Sequence, residues 1–396
     1  MKIGFLGNTN NYPFILARTL RRMGHEILFI VDSPERLYRP EYRYDDITLP
    51  YPEWIYDVSP VSLWDFAFPT PKRAKIISLL KNCDAVILNG LGPSLLLHID
   101  RPAVILLTGS DLEYYGNLQT IDELVKEVHR KPIFLRRMWR KYVYTRLVSA
   151  QRAGIRSATT INYVGPGLIP VGDALLREIG VQDSQWVFFL MTDLEKIHPE
   201  PLPHNQPLRT FCATRLTWKK PLALGTSELD YKGSDIMIRG LGLFARTTRI
   251  PLDIRLVKKG MHVAETMHLI EEEGFAEQVT WLEEMSQLGV WAEYKQADII
   301  FEQFGLSVIG MAGLDAMATG RPIIANGRPE IMDKRIGVPA PICQAVTPEE
   351  VCDQLQRLVF DPAERERVGL LSRQYVEKYC SPEHAAQICL ERLGAK

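Results

Sequence analysis

The run ADIIFEQFGLSVIGMAGLDAMATGRPIIA at residues 297–325 constrains this chain more than any other stretch. It reads as a buried strand at 297–301, a loop holding Gly305 and Gly310, a short helix and a second buried strand. Thr319 and Gly320 close the helix with a small residue and a left-handed glycine, and Pro322 stops it from continuing. Gly310 leaves the backbone bare where the helix starts. The amides of Met311, Ala312 and Gly313 are then expected to be unpaired donors at the positive end of the helix dipole, an anion site suited to phosphate. Asp315 follows about one turn further in, where a carboxylate can accept hydrogen bonds from a ribose diol.

Strand and helix patterns alternate through the rest of the chain in two series. Residues 2–6 predict a buried strand, 7–12 a loop, and Pro13 opens a helix where its missing N–H costs nothing. Gly24 ends that helix before a strand at 27–31, and further apolar strands are expected at 85–88, 103–107 and 159–162. Residues 197–208 hold four prolines in twelve positions with no apolar period and read as a linker. A second series follows, with strands at 210–214, 254–257, 279–282, 298–301 and 322–325 and helices over 348–393. Short apolar strands between helices argue parallel sheets covered on both faces. A chain of 396 residues is too long for one ordinary domain. The expected class is therefore α/β: two Rossmann-like domains, 1–200 and 201–375, and a C-terminal helix at 376–396 that packs back on the first domain. A ligand cleft is expected between the halves, at the carboxyl ends of the strands.

Composition excludes several alternatives. Net charge is −1, which argues against a nucleic-acid partner. The six cysteines show no C-x-x-C pair and no zinc spacing, and read as free thiols of a reducing cytosol. No apolar run of about 18 residues is present to span a membrane, and MKIGFLGNTN reads as a strand and loop, not a signal peptide. A dinucleotide fold would carry G-x-G-x-x-G after its first strand; here only Gly4 and Gly7 stand there, so a dehydrogenase is disfavoured.

The segment Asp315-Ala316-Met317-Ala318-Thr319-Gly320-Arg321-Pro322-Ile323-Ile324 resembles the nucleotide-sugar signature of retaining GT-B glycosyltransferases of family 4, E-x7-E followed by A-M-x-x-G-x-P-V-I. Gly310 matches the glycine of the E-G-F-G run, and Arg328-Pro329-Glu330-Ile331 is similar to the G-x-P-E-I element beyond it. The chain departs from the pattern at the first glutamate, which is Ser307, and at the second, which is Asp315. Thr108-Gly109-Ser110-Asp111-Leu112 resembles the family's H-G-S-D-L turn with threonine for histidine. A threonine hydroxyl can hydrogen-bond but cannot act as a general base at neutral pH.

The resemblance implies a GT-B fold, two Rossmann-like domains facing a central cleft. It implies transfer of a hexosyl unit from a nucleoside diphosphate sugar, a UDP-sugar first, to a glycan or lipid-linked acceptor, with retention at the anomeric carbon. No separate cofactor is implied, and without any D-x-D sequence no metal is expected. Arg215 and Lys232 are implied to grip the diphosphate and stabilise the leaving charge, with Lys219 or Lys220 as substitutes for Lys232 across an inserted loop. Gly7, Gly310, Met311 and Ala312 complete the diphosphate site. Asp315 is implied at the ribose, Ser307, Val308 and Ile309 at the donor sugar, and Leu282, Glu284 and Met285 at the base. Asn8, Thr9, Asn10, Thr108, Gly109 and Asp111 are expected on the acceptor side, although Asp111 also reads as a helix N-cap. Two other readings remain open: a nucleotide-sugar 2-epimerase-like enzyme on the same fold, and a catalytically weak sugar-nucleotide-binding subunit.

Residues 126–156 stand apart, with ten Lys or Arg and one acid. Within 135–147, Arg136/Arg140 and Arg137/Lys141 are i,i+4 pairs, and Trp139, Tyr142 and Val143 mark an apolar stripe. A basic amphipathic helix with aromatics reads either as a surface for an anionic membrane or acceptor, or as a packed helix with a solvated face. The expected location is cytoplasmic, peripheral on the inner membrane face if the first reading holds.

Overall fold

The structure, a computed structural model, describes residues 1–127, 134–164, 166–220, 230–306 and 308–394. It divides into two compact units, Met1–Phe189 with Pro382–Lys396, and Leu190–Ser381.

The first unit holds seven parallel strands: β1 (Lys2–Leu6), β2 (Glu26–Val31), β3 (Ile55–Asp57), β4 (Ala85–Asn89), β5 (Ala103–Leu106), β6 (Thr160–Asn162) and β7 (Trp186–Val187), in the spatial order β3-β2-β1-β4-β5-β6-β7. The second holds six: β8 (Leu208–Cys212), β9 (Leu252–Val257), β10 (Val279–Leu282), β11 (Ile299–Phe301), β12 (Ile323–Ala325) and β13 (Cys343–Gln344), in the order β10-β9-β8-β11-β12-β13. Among the described residues every strand pairing is parallel. Each sheet thus begins in the middle, runs outward to one edge, and then fills the other side. That is the doubly-wound plan, with a switch point between its first and fourth strands.

The strands are apolar because both faces are covered. Every residue of β4, β5, β11 and β12 is buried. The helices carry local stop and start signals. Pro13 stands in the first turn of Tyr12–Arg22, Thr347 and Glu350 form a capping box on Pro348–Phe360, and Gly320 takes φ 77° after Met311–Ala318. All six cysteines are free and buried.

Two boundaries differ from the sequence reading. The proline-rich run 197–208 is not a linker: it belongs to the second unit. The fully buried guanidinium of Arg321 explains this. It donates to the carbonyls of Glu200 (2.7 Å) and Pro201 (3.2 Å) as well as to those of Tyr294, Lys295 and Thr319. A buried cation needs such acceptors, and the carbonyls of Glu200 and Pro201 supply two of them. The chain leaves the first unit at Phe189, before the proline run, and returns at Pro382, later than residue 376. The returning helix Pro382–Arg392 packs on Tyr12–Arg22, with Arg22 and Glu383 paired at 2.9 Å.

Candidate functional site

In the second unit the switch point lies at the carboxyl ends of β8 and β11. The loop after β8 leads to Arg215, and Lys232 is pinned between the two loops: its N–H donates to Thr217 O (2.7 Å) and its carbonyl accepts from Phe304 N–H (2.8 Å). The backbones touch here. A Cβ on Gly305 would come within 2.0 Å of Tyr231 O, and Gly233, at φ 62°, would meet Phe304 C at 2.9 Å. This close approach aims Lys232 Nζ at Gln303 Oε1, 2.8 Å away. Burial pushes the Lys232 ammonium's pKa down, and the neighbouring Glu302 charge opposes that. Arg215 pairs with Asp230 at 2.6 Å.

Lys219 and Lys220 are placed otherwise. Lys219 is 3.6 Å from Glu265, and Lys220 lies over the Tyr231 ring. Residues 221–229 of the inserted loop are outside the described residues. The structure therefore brings Lys232, not Lys219 or Lys220, to the β11 loop.

Gly310 precedes the Met311–Ala318 helix, which no side chain caps. The helix start is nevertheless not bare. The Glu302 carboxyl lies against it, with Oε1 3.4 Å from where a Cβ on Gly310 would stand. Glu302 and Gln303 are both buried, and the sequence reading passed over them as loop. Their signal was two polar residues directly after a strand whose every side chain is buried. Gln303 also donates to Val308 O and accepts Lys232, so it fixes the loop to the cation.

Several expected donor contacts have other duties. Asp315 is buried, and its carboxylate accepts from Thr192 Oγ1, Gln287 Nε2 (2.8 Å) and Trp291 Nε1 (2.8 Å). It ties three segments of the second unit together. Val308 and Ile309 bury their side chains, Ile309 among Phe211, Trp291 and Leu314, which leaves only their backbone for a sugar. Ser307 lies outside the described residues. Leu282 O accepts Lys258 N–H at 2.8 Å, Leu282 and Met285 pack on the core, and exposed Glu284 is 3.5 Å from Lys259.

The first unit's switch point gathers most of the expected acceptor-side residues. Gly7 takes φ 86° and abuts Asn89, whose carbonyl a Cβ would meet at 2.1 Å. Asn89, which the sequence reading did not single out, accepts from Thr9 N–H (2.8 Å) and donates to Leu106 O and Thr108 Oγ1. Asp111 accepts from Thr108 N–H, Thr108 Oγ1 and Gly109 N–H. It sits second in the helix Ser110–Glu113, after Gly109, and so is not the N-cap. Burial pushes its carboxyl pKa up to about 6 against those bonds. Asn8 points inward: its amide donates to Asn11 Oδ1 and Tyr38 O and accepts Phe14 N–H. Asn10, at φ 53°, and Thr108 are exposed, and Gly109 is half-buried.

The basic stretch forms the helix Phe134–Ser157; residues 128–133 are outside the described residues. Its expected apolar stripe is not core. Trp139 and Tyr142 are each 51% exposed and stack with Trp64 and Phe68 from the neighbouring helix Leu63–Ala67 and the residue after it. Leu135 and Met138 are more exposed still, and Arg136, Arg137 and Lys141 surround them, with Lys141 paired to Asp122 at 3.0 Å. Among the described residues no helix is long and apolar enough to cross a membrane.

No protein-family model and no curated protein matches the sequence. Solved structures do match in shape. Sucrose-phosphate synthase from Thermosynechococcus elongatus is similar at TM-score 0.61 and 13% identity, covering 100% of this chain and 99% of that one. Anabaena HepE in complex with UDP-glucose is similar at 0.61 and 13%, covering 100% of both chains. WaaG, a glycosyltransferase involved in lipopolysaccharide biosynthesis, is similar at 0.53 and 16%, covering 98% and 99%. The chain has the GT-B fold. At these identities the likeness establishes the fold alone. The GT-B units here are the two doubly-wound sheets already described, and the candidate donor site is the β8/β11 switch point.

Proposed function

We propose that this GT-B protein transfers a hexosyl unit from a nucleoside diphosphate sugar, with the diphosphate held in the second unit. The observation that carries this is the Lys232–Gln303 contact beside Arg215 at the switch point, a pair of cations where the fold places its ligand. A UDP-sugar is the first choice, since HepE is described in complex with UDP and with UDP-glucose. Retention is taken from the resemblance of residues 315–324 to the retaining signature.

In this reading the leaving phosphate oxygen accepts the acceptor's proton on the face from which the sugar departs. Lys232 and Arg215, with the Met311 and Ala312 amides, stabilise the charge that develops. The cations take the part a metal would otherwise play. Thr9, Asn10, Thr108 and Gly109 offer hydrogen bonds to a glycan or lipid-linked acceptor. The exposed aromatics and cations around Trp139 suit an anionic bilayer, which a lipid-linked acceptor would require.

One observation favours the catalytically weak reading instead: a carboxyl already lies beside Gly310 at the helix start. A thermal-shift screen with UDP, GDP, ADP and their sugars, followed by assay of the shifting donor with and without acceptors, separates the readings. A ligand that binds only the folded state raises the melting temperature by mass action. Transfer with the donor's anomeric configuration kept supports the proposal. Epimerised donor without acceptor supports an epimerase, and binding without turnover a binding subunit.

A further inference from the structure

We propose that Glu302 must take up a proton for the diphosphate of a nucleotide sugar to bind at the start of the Met311–Ala318 helix. This rests on the donor reading above and assigns that site a positioning residue which the signature resemblance does not contain.

The geometry begins with β11. Glu302 follows it directly, and its side chain is 6% exposed. Glu302 Oε1 lies 3.4 Å from where a Cβ on Gly310 would stand, and Glu302 Cδ lies 3.6 Å from the same point on Gly313. The carboxyl is thus wedged under the first turn of the helix, where glycines leave room for it. Glu302 Oε2 is buried and has no hydrogen-bond partner. Thr214 is near enough to act on the carboxyl, but its hydroxyl lies outside hydrogen-bonding geometry.

An ionised carboxylate here competes with a phosphate for the space at the helix start and for the charge of the Lys232 ammonium. Two anions that close repel, and burial strengthens the repulsion. A proton on Glu302 removes it, frees Lys232 for the diphosphate, and turns the unpartnered oxygen into an O–H donor. Burial already favours the neutral acid and pushes its pKa up; the Gln303 and Gly310 amides and Lys232 oppose this.

The other groups that face the carboxyl do not titrate in the same range. Burial holds Tyr294, on Gln287–Gln296, far above its ordinary value, and pushes Cys212, on β8, up to about 12. Asp315 acts on Tyr294, and Arg215 and Asp230 act on Lys232. Lys232, lowered by burial, is the other group whose proton can change, and on the alkaline side.

UDP-glucose is a suitable probe because its diphosphate diester does not itself titrate between pH 5 and 9. Calorimetry of the full chain at several pH values, each in two buffers of different ionisation enthalpy, counts protons. The expected result is net proton uptake with UDP-glucose by the wild type, rising toward one as the pH is raised above the Glu302 pKa, and close to none by Glu302→Gln. The wild-type affinity should fall by up to about tenfold per pH unit above the Glu302 pKa, and the variant's should stay flat until Lys232 titrates. In turnover the variant should flatten the pH dependence of KM more than that of kcat. The wild-type proton count stands even if the variant folds poorly. Binding without proton uptake overturns the assignment to Glu302 and leaves the donor site intact. Weaker binding by the variant with an unchanged pH slope also overturns it, because Glu302 would then be an ionised partner of the sugar. A wild type that binds no nucleotide sugar removes the donor reading itself.

Discussion

The two sheets reverse their strand order at equivalent places, but their loops are finished in different chemistry. At the first switch point the polar groups satisfy one another. Asn89 bridges Thr9 and Thr108, and Asp111 collects two amides and a hydroxyl. At the second, a half-buried ammonium, an exposed guanidinium and an unpartnered carboxyl oxygen stand together. The topology alone offers two ligand sites. The residues after the first and fourth strands make one a scaffold for neutral hydroxyl contacts and the other a charged site. Satisfied networks hold a loop in one shape; unbalanced charge in a buried place is where an ionic ligand changes the energy most.

The largest effect that tests this contrast is on turnover. Lys232→Ala should lower kcat by about 10²–10³-fold, in line with removing one donor that stabilises developing charge, and should raise donor KM far less. Steady-state kinetics in donor decide it. Full activity of Lys232→Ala, with loss in Lys220→Ala, would mean that the described loop geometry is not the working one. Thr108→Ala in the first unit should change kcat less than Lys232→Ala does; the reverse ranking would invert the comparison.

The next effect is on stability. Asp315→Ala takes this acceptor from the buried Trp291 N–H, which costs about 1–3 kcal/mol, and from the half-buried Gln287 amide, which costs less. Urea unfolding should show the second unit's transition at lower denaturant. A variant with wild-type stability and nucleotide affinity at least tenfold weaker would restore Asp315 to the ribose.

A third, smaller effect concerns the surface around Trp139. Replacing Arg136 and Arg137 with Gln should weaken binding to anionic vesicles by about 2 kcal/mol at low salt, at about 1 kcal/mol per charge. Trp139→Ala should weaken it again. Co-sedimentation with neutral and anionic vesicles reads this directly. A wild type that ignores anionic vesicles at low salt makes the patch a surface for something other than lipid.

The smallest expected change is with chelator. Excess EDTA should leave the transfer rate within about twofold, since a catalytic metal would contribute several kcal/mol of charge stabilisation. Loss of activity restored by Mg²⁺ or Mn²⁺ would show that Lys232 and Arg215 do not suffice.

Much of the architecture was legible because strands buried on both faces must be apolar throughout. Residues 2–6, 27–31, 85–88 and 298–301 all fall on strands within a residue or two. β3, β7 and β13 escaped notice: they are two or three residues long, and pairing rather than composition defines them. The helix start at Gly310 and the stop at Gly320 were also legible, because caps are local.

The sequence by itself determined two doubly-wound α/β halves and the helix after Gly310, which follow from period and punctuation acting over a few residues; Arg215 and Lys232 were singled out by the family resemblance. Only the tertiary structure decided what each polar side chain does. Arg321 binds the carbonyl of Glu200 from 121 positions away, which turns an apparent linker into part of the second unit. Asp315 reaches Thr192 across 123 positions and becomes a tie. Glu302, which reads as the first residue of a loop, ends under a helix eight residues on because Gly310 and Gly313 leave space there. Local signals set where the backbone turns; which buried donor meets which acceptor depends on segments distant in sequence, and no local pattern encodes that pairing.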